Sequence, residues 1–464
     1  MHSLTMREPL SDGGHSSQSS LADLPNELLE KVFLFCDGIT IKRLSAVCKK
    51  FNTMVINLSR LKDVWKKCVF TEIGKEIADE LSRYCSGGKR LDNSLYLNDF
   101  YYKLYVKWCR SLNVGKWPST DTPINGFFQN PISCIKVSGD LIIMGHKDGC
   151  VSICDYLSQN IEIACRHIRM VTDIALIDLA GQDSYSIFKS RVGAISNHHH
   201  IVSISKDQNV RVYPIQSASI MNKYSHLAFK PASSELNYVR VFGEYCAIYA
   251  NSMKIFLWKM SLSSPGCVDV NKPLNFSLFA VVTSPDRLPG WFNLWENKVR
   301  CFCAGRGILH EINVENAYSC SSRRLRLPRL GTGPYSQYIS RAFVLRKKTI
   351  ILVMVSGLLY YSIDGETLHD FPIYKHFTSK VITLALWGGI LALGLECGQL
   401  AIYRCPTISD LALLHDQKPV YKLHLDRRDE PIISLDIDDY GKGPVVVAAT
   451  HNAVSVLKWF SSDD

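Results

Sequence analysis

No two of the sixteen cysteines stand at C-x-x-C spacing. This removes the usual zinc-knuckle and dithiol redox signatures. No apolar run reaches the ~20 residues that a membrane helix needs. The two most apolar stretches, 349–363 and 381–395, contain Gly or Ser and fit pairs of buried strands joined by a turn. The opening MHSLTMREPLSDGG has no apolar h-region, so no secretory signal is expected. The glycosylation patterns at Asn57-Leu-Ser59 and Asn275-Phe-Ser277 then carry no meaning. G-x-S-x-G, the P-loop, H-E-x-x-H and the dinucleotide glycine fingerprint are all missing. No enzyme, cofactor or metal is therefore expected. A charge of one sign is also lacking: 53 Lys and Arg face 43 Asp and Glu, a net +10 over 464 residues. That permits acidic partners without demanding nucleic acid.

What is present suits a folded protein. Hydrophobic residues make up 47% and charged ones 21%, well outside the disordered range. The length sets a prior of about three units. Most cysteines lie in apolar runs, such as Cys134 in ISCIKV and Cys246 in EYCAIY. They read as small buried hydrophobes in a reducing compartment, the cytoplasm or the nucleus.

Residues 1–19 are polar and read as a disordered tail. Short helices follow. Pro25 suits a first helical turn, and Leu28, Leu29, Val32 and Phe33 make an apolar face that should stop at Asp37-Gly38. Thr40 is the expected cap of a second helix carrying Leu44, Val47, Cys48 and Phe51. Ser59 is the expected cap of a third, with Leu61, Val64, Trp65 and Cys68 inside. A bundle of about 50 residues is marginal. Leu24, Leu28, Leu29, Val32 and Phe33 cannot all point into it, so a partner should cover the remainder. Ile73, Ile77, Leu81 and Tyr84 then form one helical face, and 86–93 a turn. Asp99 is the expected cap of a helix with Phe100, Leu104, Trp108 and Leu112 on one stripe. Residues 69–120 read as a rigid helical spacer.

From about Pro118 the texture becomes β-rich. Seven segments share one shape: apolar strand, short turn with Gly, Asp, Asn or Ser, second strand. They end at Cys154, Tyr213, Trp258, Glu311, Tyr361, Tyr403 and Leu457. Further strands such as ISCIKV, VTDIALI, YVRVF and VITLAL precede most of them, and weaker ones follow. Four strands repeated radially make a β-propeller. Asp148-Gly149 is the strongest hairpin signal. The last unit lacks its outermost strand, and residues around 122–130 are expected to supply it and so close the ring.

Leu24-Pro25-x-Glu27-Leu28-Leu29-x-x-Val32-Phe33, Leu44-Ser45-x-Val47-Cys48-Lys49-x-Phe51 and Trp65 together resemble the F-box. Cys36 and Ile41 replace leucines of the family pattern and stay apolar. The stretch from Asp99-Phe100-Tyr101 to Asn113-Val114-Gly115 is similar to the linker helix of F-box/WD-repeat proteins. Gly145-His146-Lys147-Asp148-Gly149 through Cys154-Asp155 resembles a degenerate WD repeat, with Cys154-Asp155 in place of Trp-Asp. The resemblance implies a multidomain α+β chain: an F-box over 20–68, a helical linker over 69–120 and a propeller of seven blades over 121–464. It implies that Leu24, Pro25, Leu28, Leu29, Val32, Phe33, Leu44, Val47, Cys48, Phe51 and Trp65 form the adaptor-binding module. The implied partners are the Skp adaptor, a cullin and a RING protein, and a protein substrate that is acidic or phosphorylated. The chain would be a substrate-recognition subunit of a ubiquitin ligase, without catalytic residues of its own.

Arg323, Arg324, Arg326 and Arg329 fall in one expected loop before the fifth blade. Arginine grips phosphate bidentately, which makes them the candidate substrate contacts; a solvated basic loop is the competing reading. His198, His199 and His200 alternate sides on a strand and have no further ligand at metal spacing, so they read as a loop. Asp436, Asp438, Asp439 and Gly441 imitate a calcium loop without its closing Glu and read as a strand turn. Two other functions compete with the receptor reading. One is a propeller scaffold that binds acidic or phosphorylated partners outside any ligase. The other is a propeller that binds an acidic polymer such as RNA, which the +10 charge motivates and a salt-insensitive binding constant would count against.

Overall fold

The computed structural model describes residues 21–82, 94–124, 130–178, 199–215, 227–262, 274–283, 289–304, 306–315, 320–325, 339–425, 429–439 and 443–460. The chain forms two compact units that meet in sequence between Cys68 and Val69. The tail 1–19, the turn 86–93, Tyr84, His198, Arg326, Arg329 and Gly441 lie outside the described residues.

The first unit is helical: α1 (Asn26–Phe35), α2 (Gly38–Ser45), α3 (Lys49–Leu61) and α4 (Val64–Cys68). Three helix boundaries differ from the sequence expectation. α1 does stop at Phe35, just before Asp37-Gly38, but Asp37 rather than Thr40 caps α2, its carboxylate accepting the Thr40 N–H at 2.7 Å. An Asp side chain satisfies an orphan N–H better than Thr40, which lies inside that first turn. The chain then breaks at Ala46–Cys48, so Leu44 and Phe51 belong to different helices. Ser59 is no cap either. It lies inside α3, and its hydroxyl donates to the Val55 carbonyl at 2.7 Å.

The second unit opens on a turn of helix at Val69–Ile73. Then come α5 (Lys75–Ser82) and α6 (Ser94–Leu112). Asp99 sits inside α6 rather than at its cap. Seven four-stranded antiparallel sheets follow. Six run in chain order from inner to outer strand. The seventh takes three strands from Ser434–Asp438, Val445–Ala449 and Val454–Trp459. Its fourth is Ser119–Ile124, which pairs antiparallel with the last strand from Ser119↔Trp459 to Ile124↔Val454. The architecture is a seven-bladed β-propeller.

The core is divided among the gaps between blades. Cys134, Ile143, Val151, Ile174 and Ile201 pack between blades one and two. Ile135, Ile142, Val447 and Val456 pack between blades one and seven. Inner strands are also latched side by side. The Asp436 carboxylate accepts Lys136 Nζ at 3.0 Å and the Val137 N–H at 2.8 Å. Asp438 accepts the Gly139 N–H at 3.3 Å. The acidic run that imitates a calcium loop thus joins blade seven to blade one. Asp173 does the same between blades two and three, accepting from Val239 N–H and Arg240.

The helices 69–112 are part of the propeller's body. Glu80 Oε2 accepts from Arg346 Nη2 at 2.8 Å, Arg346 Nε at 3.2 Å and the Gly388 N–H at 2.8 Å. Both side chains are buried. Ser111 Oγ accepts the Gly389 N–H at 2.8 Å, and Trp108 Nε1 donates to the Pro406 carbonyl at 3.3 Å. A Cβ at Gly389 would meet Leu112 Cδ2 at 2.7 Å, so the close approach of α6 requires glycine there. Arg346, Gly388 and Gly389 all lie in turns between first and second strands, in blades five and six. In antiparallel blades those turns share one face of the ring. The helices cover that face and leave the opposite one, with the second-to-third-strand turns, clear of these contacts.

Glu80→Gln should lower unfolding stability by about 3–5 kcal/mol, because it leaves the Arg346 charge buried without its counter-ion. Urea denaturation of the full chain, compared with an Arg346→Met/Glu80→Gln double variant that regains part of the loss, checks this.

Candidate functional site

In the first unit α1 has two apolar sides. One is core: Leu29 and Phe33 are fully buried, and the Phe33 ring meets Phe51 of α3 edge-on at 5.2 Å. Ile41, Met54, Val55, Leu58, Val64 and Trp65 complete that core. Polar ties hold the frame around it. Lys50 Nζ donates to the carbonyls of Ala22 (2.7 Å) and Leu24 (3.1 Å), and Lys67 Nζ donates to the Leu34 carbonyl (2.8 Å) near the end of α1.

The other side faces solvent. Leu24, Leu28 and Val32 recur every four residues, with exposures of 36%, 47% and 42%. Phe35, one turn further, is 90% exposed. Ile39 of α2 and Val47 between helices are exposed as well. Contiguous apolar side chains in water mark a protein contact surface. Burial pushes the Cys36 thiol up, and the Thr40 hydrogen bonds hold Asp37 below the usual carboxylate range.

The eleven residues singled out from the sequence therefore divide. Leu29, Phe33, Phe51 and Trp65 are structural, Leu44 and Cys48 are half-buried, and Leu24, Pro25, Leu28, Val32 and Val47 are presented. Phe35 and Ile39 were missed. Extending the stripe 24, 28, 32 by one more turn would have found Phe35.

On the propeller only Arg323 and Arg324 of the arginine group lie among the described residues. Arg323 and Arg324 are not in a loop but on the outer strand of blade four, Cys320–Arg324, where hydrogen bonding to Ile308–Asn313 draws the chain into the sheet. Arg323 bonds Glu366 of blade five at 2.6 Å. Gly145-His146 ends the second strand of blade one, before the Asp148-Gly149 turn. There His146 Nε2 shares a hydrogen bond with Ser152 Oγ at 2.7 Å. The histidine that links a blade entry to the next sheet is His167, which sequence reading passed over. Its Nε2 shares a hydrogen bond with Ser203 Oγ at 2.9 Å, and its Nδ1 lies 3.5 Å from Asp207. Asp207 in turn accepts the N–H groups of Ile168 and Asn209. Burial pulls the His167 imidazole down to about 4 against the opposing Asp207 carboxylate. Among the described residues no His, Cys, Asp or Glu group could hold a metal ion.

Residues 21–63 match the F-box domain model. The first unit carries an F-box domain. No curated protein matches the chain. Among solved structures, that of U3-55K is 12% identical with a TM-score of 0.47, covering 73% of this chain and 98% of that one. The RRP9 WD40 repeats are 13% identical with a TM-score of 0.47, covering 73% and 97%. The computationally designed Ika8 protein is 12% identical with a TM-score of 0.42, covering 72% and 98%. The chain thus joins an F-box to a seven-bladed propeller.

Two outcomes follow from this geometry. Phe33→Ala should destabilise the F-box by about 3–5 kcal/mol, whereas Leu28→Ala should stay within about 0.5 kcal/mol, as hydrogen exchange of α1 and α3 amides can show. His167 is neutral when folded and gains a proton when unfolded near pH 6.5. Its contribution is whole above that value and is lost as pH falls towards 4, so His167→Gln should flatten the pH dependence of unfolding between those limits.

Proposed function

We propose that this chain is a substrate-recognition subunit of a Skp–cullin–F-box ubiquitin ligase, its F-box docking on the Skp adaptor and its propeller receiving the protein to be ubiquitinated. The observation that carries the reading is the exposed stripe Leu28, Val32 and Phe35, with Leu24 just before it, on a helix whose other side is already satisfied by Leu29 and Phe33. An F-box with its own core complete and an apolar face left in water fits an adaptor groove.

The reading is of a receptor, not a catalyst. Its contribution to transfer would be proximity and orientation, supplied by holding the substrate near the enzyme that carries ubiquitin. The propeller suits that part, since a ring of rigid blades presents many loops on the face away from α5 and α6. Of the arginines, Arg324 is exposed at the end of its strand and stays a candidate contact for an acidic substrate group. The cysteines set in apolar runs suit a reducing compartment, the cytoplasm or nucleus, as its place.

The test is reconstitution of the full chain with purified Skp adaptor and a cullin–RING core, beside a Leu28→Asp/Val32→Asp variant. Each exposed side chain contributes about 1–2 kcal/mol when covered, and a carboxylate in its place adds a desolvation penalty. The variant should lose adaptor binding by at least about 100-fold with its propeller melting unchanged. Adaptor binding without cullin would move the chain to a scaffold role, and no adaptor binding would overturn the proposal.

A further inference from the structure

Each blade ends in an outer strand whose free backbone edge could pair with another chain, a hazard that folded proteins normally blunt. Six of the seven edges are blunted. Those of blades two and five are only Leu227–Phe229 and His369–Asp370. Blade six ends in Tyr421–His424, four residues that include a lysine. Blade four ends in CSSRR, blade one in NIEIACR, and the closing strand of blade seven, STDTPI, holds an aspartate and a proline.

Blade three breaks the pattern. Its outer strand, Leu274–Thr283, is the longest described in the propeller, ten residues reading LNFSLFAVVT. It contains no charge, no proline and no glycine, and seven of its side chains are apolar. Leu278, Phe279 and Val281 are 45%, 40% and 46% exposed. The strand is well anchored on its inner side. It pairs with Lys254–Leu262 along its whole length, and Phe276 packs on Trp258 and Phe229 at ring distances of 5.8 and 5.4 Å. A bulge opposite Leu257 and Trp258 leaves Phe279 without a cross-strand partner and sets it beside Tyr245 at 5.9 Å. Among the described strands no fifth one pairs with this edge.

We propose that this edge is a homodimer interface, in which Leu274–Thr283 of one copy lies antiparallel to the same strand of a second copy. A two-fold interface must be complementary to itself. Charged edges such as CSSRR repel their own copy, since like charges opposite each other destabilise a strand pair. The blade-three edge sets only uncharged side chains opposite each other in every antiparallel register. At ~3.3 Å per residue it is about 33 Å long. Antiparallel pairing would satisfy up to about ten outward backbone groups and cover Leu278 and Val281 on both copies.

The test is sedimentation equilibrium of the full chain over the micromolar range, with Leu278→Lys and Val281→Lys variants. Both positions are exposed, and the added lysine is the device natural edges use against pairing. Wild type should reach twice its 52.3 kDa mass, and each variant should raise the dimer dissociation constant by at least about tenfold. A second measurement needs no variant: amide exchange over 274–283 should slow as the wild-type concentration rises. A monomeric wild type overturns the proposal, as does a dimer that both lysine variants leave intact. Edge amides protected at every concentration overturn it too, because another segment of the same chain would then occupy the strand.

Discussion

The propeller depends on one strand pairing, that of Ser119–Ile124 with Val454–Trp459. Six blades can each be built from consecutive residues, with turns setting the register. The seventh instead takes its fourth strand from before blade one. A blade with three strands would expose the edge of the last one, all six of whose residues are buried here. Taking the missing strand from before blade one moves the seam inside blade seven, where a six-residue antiparallel ladder closes it. Opening the seam then requires breaking the whole ladder and the Asp436 and Asp438 latches together. Local fraying becomes a cooperative event.

The same economy explains the helices. A spacer made only of surface helices would sit on the ring through apolar contact and slide. Glu80 instead inserts one carboxylate oxygen among two Arg346 nitrogens and the Gly388 N–H. A buried ion pair adds little net stability, but an unpaired buried charge is strongly penalised. The pair therefore acts as a register pin: only one placement of α5 satisfies it. Ser111 with Gly389 and Trp108 with Pro406 repeat the logic for α6. The helical spacer expected from the sequence is thus held to the propeller by buried polar contacts.

Much of this was legible in the residues, and the failures have physical causes. The period of about 50 residues and the apolar third strands revealed the blades even where the Trp-Asp dipeptide is gone. At that position Cys154 and Tyr403 are buried as deeply as Trp459, and Tyr213 nearly so. Seam closure was also readable, from a count of strands. Helix starts were not: Asp37-Gly38 carries the same residues whether it stops one helix or caps the next. The loop expected around the arginines fails for its first two members, because sequence proximity does not separate a loop from an edge strand. Arg323 and Arg324 were already in a sheet. His167 escaped because its partners Ser203 and Asp207 are about 40 residues away and its neighbours do not repeat the expected Gly-His.

The F-box separates fold from contact with unusual clarity along one ten-residue helix. Positions 29 and 33 hold the bundle together, and positions 28 and 32, each one residue earlier, leave it alone. This has an energetic consequence. A bundle of about 45 residues buries too little surface for a large stability of its own. A partner that covers the stripe adds free energy to the folded form only, about 2.7 kcal/mol when it is present at 100 times its dissociation constant. Folding of the F-box and occupancy of its face are then linked quantities. The propeller, pinned by Glu80 and closed by its own seam, has no such need and should keep its shape whether or not the F-box is engaged.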